Sequence, residues 1–127
     1  MILTPGDLLR RAVPMPDTEI PPGTLDMLIL RILSRGKELH GFEVAQAIER
    51  TSSGVFFVEE GSLYPALQRM LVKGWIAGEW GRTADNRRAR YYRMTAPGKR
   101  QLERELGAYE LTSRAIGKIL RAAPEPT

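Results

Sequence analysis

The chain has 127 residues, 43% of them hydrophobic and 27% charged, which suits one globular domain with one long appended element and is too short for two independent cores. It contains no cysteine and a single histidine, His40, so disulfides, thiol nucleophiles, cysteine-bound zinc and histidine-rich metal sites are excluded, and a reducing cytosol is the natural setting. The net charge of +4 is local: residues 82–104 carry eight bases against two acids, while residues 1–81 carry eight against ten and residues 105–127 three of each. Such a cluster is usually only a solvated face, but on a small basic domain it is also the expected footprint of a polyanion.

Five of the nine prolines, Pro5, Pro14, Pro16, Pro21 and Pro22, fall within residues 1–23, so this arm holds no long element. A short helix fits at residues 4–13, with Thr4 as N-cap, Pro5 at N1 and Leu8, Leu9 and Val13 as a docking side. A docked arm and a disordered tail fit this composition equally well. The first firm helix is capped by Thr24, buries Leu25, Leu28, Ile29, Ile32 and Leu33, and ends near Gly36. A second runs from about Gly41 to Thr51 and buries Val44, Ala45 and Ile48, with His40 at its entrance as a turn residue satisfying backbone groups. "SSG" then breaks it before a short β-prone run, "VFFV", at residues 55–58.

The third helix must accommodate Pro65, and a start with Ser62 as N-cap places the proline in the first turn, where no helical hydrogen bond is lost. Leu63, Ala66, Leu67, Met70 and Leu71 then face the core, while Ser62, Tyr64, Pro65, Gln68, Arg69 and Lys73 point outward and Gly74 stops the helix. Glu59 and Glu60 lie upstream and complement the helix dipole. "WIAGEW" and "ARYYRMT" read as strands joined by the turn-rich "GRTADNRR", with Tyr92 and Met94 on one face and Tyr91 and Arg93 on the other. Trp75 and Trp80 read as core residues rather than a ligand box. The last helix starts near Ala96 with Pro97 in its first turn and runs to about Ala123, with Leu102, Leu106, Tyr109, Ser113, Ile116, Leu120 and Ala123 on a seam spaced by fours and threes. At a 1.5 Å rise its length is about 40 Å, more than so small a domain needs, so the excess seam is expected to meet another chain.

Helix, helix, short strand, helix, basic hairpin and long helix in that order describe a mainly α, α+β winged helix-turn-helix over residues 24–95, followed by a dimerisation helix at 96–123 and a tail at 124–127. In that arrangement the third helix enters the major groove of double-stranded DNA and the wing follows the adjacent backbone. Among the outward residues, Gln68 and Arg69 suit adenine and guanine respectively. Ser62 and Tyr64 sit at the helix start, within reach of a phosphate or a thymine methyl. Arg87, Arg88 and Arg90, with Arg82 and Asn86 beside them in the wing, supply salt-dependent contacts that carry little sequence information. No metal, cofactor or nucleophile pattern marks an enzyme. No apolar run reaches bilayer length and no signal peptide is legible, so a cytoplasmic, soluble protein is expected.

The same residues resemble the PadR-type transcriptional regulators. The resemblance spans residues 23–102, from "GTLDMLILRIL" and "HGFEVAQAI" through "GSLYPALQRMLVKGWI" to "NRRARYYRMTAPGKRQL". Its most specific blocks are Leu63-Tyr64-Pro65 with Leu67, Met70, Gly74 and Ile76, and Tyr91-Tyr92-x-Met94-Thr95-x-x-Gly98. It implies a homodimeric repressor in which the C-terminal helix, helped by the N-terminal one, forms the dimer; Leu25, Leu28, Leu102, Leu106, Tyr109, Ile116 and Leu120 are the interface residues on that view. It further implies that the face from Tyr64 to Lys73 and the wing contact operator DNA, and that a small apolar or aromatic effector bound near the dimer interface releases it. Three departures stand out: Phe42 where tyrosine is frequent, Tyr109 in place of a seam tryptophan, and no larger C-terminal domain after about Ala123. The alternative is a winged-helix protein–protein interaction module without DNA binding, which would tolerate loss of the wing arginines.

Overall fold

A computed structural model of the chain describes residues 19–125. The helix expected at residues 4–13, and most of the proline-rich arm, lie outside the described residues. Within them run α1 (Leu25–Leu33), β1 (Leu39–His40), α2 (Gly41–Thr51), α3 (Glu60–Val72), β2 (Ile76–Arg82), β3 (Arg88–Met94) and α4 (Ala96–Arg121). The strands form one antiparallel sheet in the order β1-β3-β2. Ile29, Leu30 and Leu33 of α1, Val44 of α2, and Leu63, Leu67 and Met70 of α3 make a sealed helical core, which the sheet closes with Ile76 and Tyr92 and α4 with Leu102. This is the α+β winged helix-turn-helix expected from the sequence.

Because α1 is the central helix, its buried surface is wider than one stripe: Met27 and Leu30 are buried with Ile29, Ile32 and Leu33, whereas Leu25 and Leu28 are only partly covered. Thr24 stands at the N-cap position, but its hydroxyl donates to the Pro21 carbonyl (2.7 Å) and caps nothing. α2 has the expected bounds. Its cap is reciprocal: His40 Nδ1 accepts from the Glu43 N–H (3.4 Å) and the His40 N–H donates to Glu43 Oε1 (3.1 Å), so the only histidine satisfies backbone groups at a helix start, as expected. Ala47 rather than Ala45 is the fully buried alanine.

Two element positions also differ from expectation. The short strand is not at residues 55–58, which are irregular, but at Leu39–His40, where Leu39 pairs with Tyr92 and His40 with Tyr91. Both edges of β3 are taken, by β2 and by β1, and the "VFFV" run adds no strand to the sheet but serves the core through Val58 and Phe56. α3, moreover, starts at Glu60 with Glu59 as N-cap, not at Ser62. The Glu59 carbonyl accepts from both Ser62 and Leu63 (3.0 Å each), which winds the first turn early. Pro65 therefore lies in the second turn, and its missing N–H deprives the exposed Gly61 carbonyl of a helical donor. Glu60 is inside the first turn, where its charge still complements the helix dipole.

α3 ends in a Schellman motif: Gly74, at φ +75°, donates to Leu71 (3.1 Å) and Trp75 donates to Met70 (3.0 Å). The chain beyond it is fastened at once to the start of α4. The Thr95 hydroxyl donates to the Gly74 carbonyl (2.6 Å) and accepts from the Gly98 N–H (3.1 Å), and the Thr95 N–H donates to the Trp75 carbonyl (3.1 Å). Gly98 lies so close over Trp75 that an added Cβ would stand 2.0 Å from its carbonyl oxygen. Trp75 itself packs against the core, as expected.

Leu102 is buried in the domain core, which removes it from the set of interface residues, and Leu106 is partly buried beside it. Beyond them α4 projects with Tyr109 (50% exposed), Leu111 (69%), Ile116 (51%), Ile119 (76%) and Leu120 (77%) uncovered. Near the last packed turn, Glu105 Oε2 is buried without a hydrogen-bond partner. Burial pushes the Glu105 carboxyl above its ordinary range and the Asp26 carboxylate adds to this, while a hydrogen bond with Gln101 and the charges of Lys73 and Arg104 act in the opposite direction.

Two stability predictions follow from this packing. Gly98→Ala forces Trp75 away and should lower stability by about 1–3 kcal/mol in thermal denaturation, whereas Gly61→Ala, with open space at its Cβ, should stay within about 0.5 kcal/mol of the parent. A carboxyl whose folded pKa is raised penalises folding in its charged form, fully above that pKa and not at all below the unfolded value. Glu105→Gln should therefore raise the urea midpoint at pH 7, and the gain should shrink to nothing below about pH 4.

Candidate nucleic-acid interface

Antiparallel pairing decides which hairpin residues share a face. Arg82 opposes Arg88, Trp80 opposes Arg90 and Gly78 opposes Tyr92, and directly opposed side chains project to the same side of the sheet. The buried Tyr92 anchors that side to the core, so the same face continues into the wing as Trp80, Arg88 and Arg90. These three residues line a groove of about 670 Å³ whose opposite wall is Gly41 and Phe42 of α2 and Tyr64 of α3.

Tyr64 reaches the groove because Gly41 has no side chain. A Cβ there would stand 3.0 Å from the Tyr64 ring, so the ring lies against the start of α2 while 48% of the residue stays exposed. It packs on α2 as well as facing the wing. Phe42, 61% exposed, stacks on His40 at 6.4 Å between ring centres, and Tyr91 meets His40 edge-on at 5.4 Å.

The wing cations differ in how they are held. Arg82 Nη1 donates to the Asn86 carbonyl (3.2 Å), and Asn86 occupies the turn at φ +63°, a left-handed conformation that asparagine tolerates better than most side chains. Thr83 braces the turn: it donates to the Asp85 carboxylate and accepts from the Arg87 N–H (3.0 Å). That hydrogen bond from Thr83 is the main cause holding the Asp85 carboxyl below its usual range. Arg87 stands 3.4 Å from Asp85 in an exposed pair, an arrangement of little energetic weight. Arg88 lies over the Trp80 ring at 4.3 Å and Arg90 at 5.9 Å from its centre. Trp80 is 60% exposed, so the expectation that it belongs to the core is overturned. The strand was read correctly, but which face Trp80 takes follows from pairing with Arg90, a register that one strand alone does not reveal.

On α3, Ser62, Tyr64, Pro65, Gln68, Arg69 and Lys73 are all exposed, as the stripe of core residues required. Only Tyr64 of this set lines the groove; the others extend the surface beyond it. Arg69, expected to read a base, donates from Nη2 to Asp26 Oδ1 at 2.7 Å and so ties α3 to α1. Lys73 stands over Trp75 at 4.6 Å from the ring centre. Gln68 carries no such engagement in the described contacts. Four bases of the charged stretch, Arg93, Lys99, Arg100 and Arg104, stand on β3 and α4 away from the groove, so the basic segment in sequence is not one patch in space.

Residues 29–104 match the model of the transcriptional regulator PadR-like family. A transcriptional regulator from Clostridium thermocellum has a similar structure, with a TM-score of 0.71 at 28% identity over 78% of this chain and 95% of that one. A PadR-like transcriptional regulator from Bacillus cereus matches with a TM-score of 0.68 at 30% identity over 80% of this chain and 95% of its own. A PadR family transcription regulator from Clostridium difficile is 31% identical with a TM-score of 0.66, covering 77% of this chain and 99% of that one. An uncharacterised protein of Lysinibacillus sphaericus is 34% identical over 85 residues, which is 67% of this chain and 77% of the relative.

Proposed function

The chain belongs to the PadR-like family of transcriptional regulators, and from that premise we propose that it acts as a homodimeric repressor that binds double-stranded DNA through α3 and the wing. The observation that carries this reading is the convergence of Tyr64 with Arg87, Arg88 and Arg90 around one open groove, continuous with the exposed face of α3. The cations supply backbone attraction, which sets affinity and its dependence on salt. Gln68, exposed and unengaged, is the base reader best suited to adenine, while Arg69 is first a clamp on Asp26 and reaches DNA only by leaving it.

The dimer reading rests on the uncovered outer half of α4. Tyr109, Ile116 and Leu120 keep the seam spacing expected for helix pairing and remain at least half exposed in a single chain. Leu25 and Leu28, partly covered on α1, are proposed to complete the interface. Two such chains would present their α3 helices to half-sites about 34 Å apart. The small apolar or aromatic effector implied by the family resemblance is proposed to bind near this seam.

Titration of the purified protein against duplex from its own upstream region, with unrelated duplex as control, tests the reading. Arg88→Ala should weaken binding to both duplexes and reduce the slope of log K against log salt by about one. A parent protein that binds neither duplex at moderate salt would instead support the protein-interaction alternative. Light scattering at micromolar concentration should give a dimer, and Ile116→Asp should shift it to monomer; an unchanged mass for that variant would remove Ile116 from the interface.

A further inference from the structure

We propose that Trp80 is a positioning residue: its ring, together with the bare backbone of Gly78, holds the Arg88 and Arg90 guanidinium groups on the groove face of the wing before any ligand arrives. The inference rests on the DNA-binding reading above and deepens it. At 60% exposure on the hairpin, Trp80 contributes little to core packing. What it touches is cationic, with Arg88 at 4.3 Å and Arg90 at 5.9 Å from the ring centre. The closer of the two is the diagonal neighbour, since the pairing partner of Trp80 is Arg90. Guanidinium groups are weakly hydrated and stack on aromatic faces, so this contact survives in water better than an ion pair of similar exposure.

Arg90 has a second wall. A Cβ on Gly78 would stand 2.6 Å from Arg90 Nε and 3.3 Å from its Cδ and Cγ, so the arginine stem lies flat over the glycine. In that position Nε is buried and has no hydrogen-bond partner. A buried donor without a partner is unfavourable, and here it belongs to a side chain lining the groove into which the DNA backbone is proposed to fit. The arrangement keeps a long side chain in one orientation with its charge still available. Orienting it in advance lowers the ordering cost of binding.

The test compares duplex affinities in two backgrounds. Trp80→Ala should weaken binding about three- to tenfold on specific and unrelated duplex alike, without changing the salt slope, because both cations remain. Trp80→Phe should fall between the two. In an Arg88→Ala, Arg90→Ala background, Trp80→Ala should cost less than about twofold. An equal loss in both backgrounds would show that the ring contacts DNA itself or only supports the fold, and no loss in the parent background would show that it positions nothing; either result overturns the proposal. Gly78→Ala offers an independent route, since it fills the seat beneath Arg90: its loss should be smaller than that of Arg90→Ala, which also removes the charge, and it should cost nothing further in an Arg90→Ala background.

A measurement without DNA separates this proposal from the reading it rests on. Side-chain protons of Arg88 and Arg90 should be shifted upfield by the indole ring current in the free protein and should return to ordinary positions in Trp80→Ala. Unshifted protons in the parent would overturn the seat. A parent that binds no duplex but shows the shifts would retain the seat and remove the purpose assigned to it.

Discussion

The junction of Gly74 and Trp75 with Thr95 and Gly98 is the constraint on which the rest of the molecule depends. Four elements meet there: α3 ends, β2 begins, β3 ends and α4 begins. The Thr95 hydroxyl serves as donor to the end of one helix and acceptor at the start of another. Gly98 permits a backbone approach over Trp75 that no side chain would allow. Because α3, the hairpin and α4 leave from one fastened point, their relative directions are set together. The groove between Tyr64 and the wing is a product of those directions.

Within the groove, small residues do as much as charged ones. Gly41 makes room for Tyr64 and Gly78 makes room for Arg90. The aromatic rings then supply rigid surfaces, Tyr64 against α2 and Trp80 beneath Arg88, while the charged groups keep their outward aim. Arg69 shows the opposite arrangement, a cation on α3 already engaged with a carboxylate of α1. Cations of the same formal charge on one surface thus differ in how free they are to meet a ligand.

Much of this was legible in the sequence, and the exceptions have physical causes. The bounds of α2, the core stripe of α3 and the hairpin around residues 83–87 follow from local caps, periodicity and turn residues, which act over a few positions. β1 is two residues long and exists only because β3 offers an edge, so no local propensity announces it. Pro65 was expected in the first turn because that is where a proline is least disruptive, yet the helix starts earlier and tolerates an unmatched Gly61 carbonyl at an exposed end. The cations that line the groove, Arg87, Arg88 and Arg90, are marked in the sequence by their charge. The places of Trp80 and Gly78 beside them are not so marked, because they come from register. Leu102 shares its spacing with the seam, and only the packing of α4 on the domain assigns it to the core.

The outer half of α4 carries a thermodynamic consequence. From Gly107 to Arg121 it includes two glycines, a threonine and a serine, and most of its residues are exposed in a single chain. A helix of about 15 residues with such composition is marginal in water by itself. Its order and the covering of its apolar residues are therefore coupled events, each supplying what the other lacks. On the proposed pairing of two copies through α4, helix content becomes a function of protein concentration, and the outer half of the helix is completed only as the copies meet.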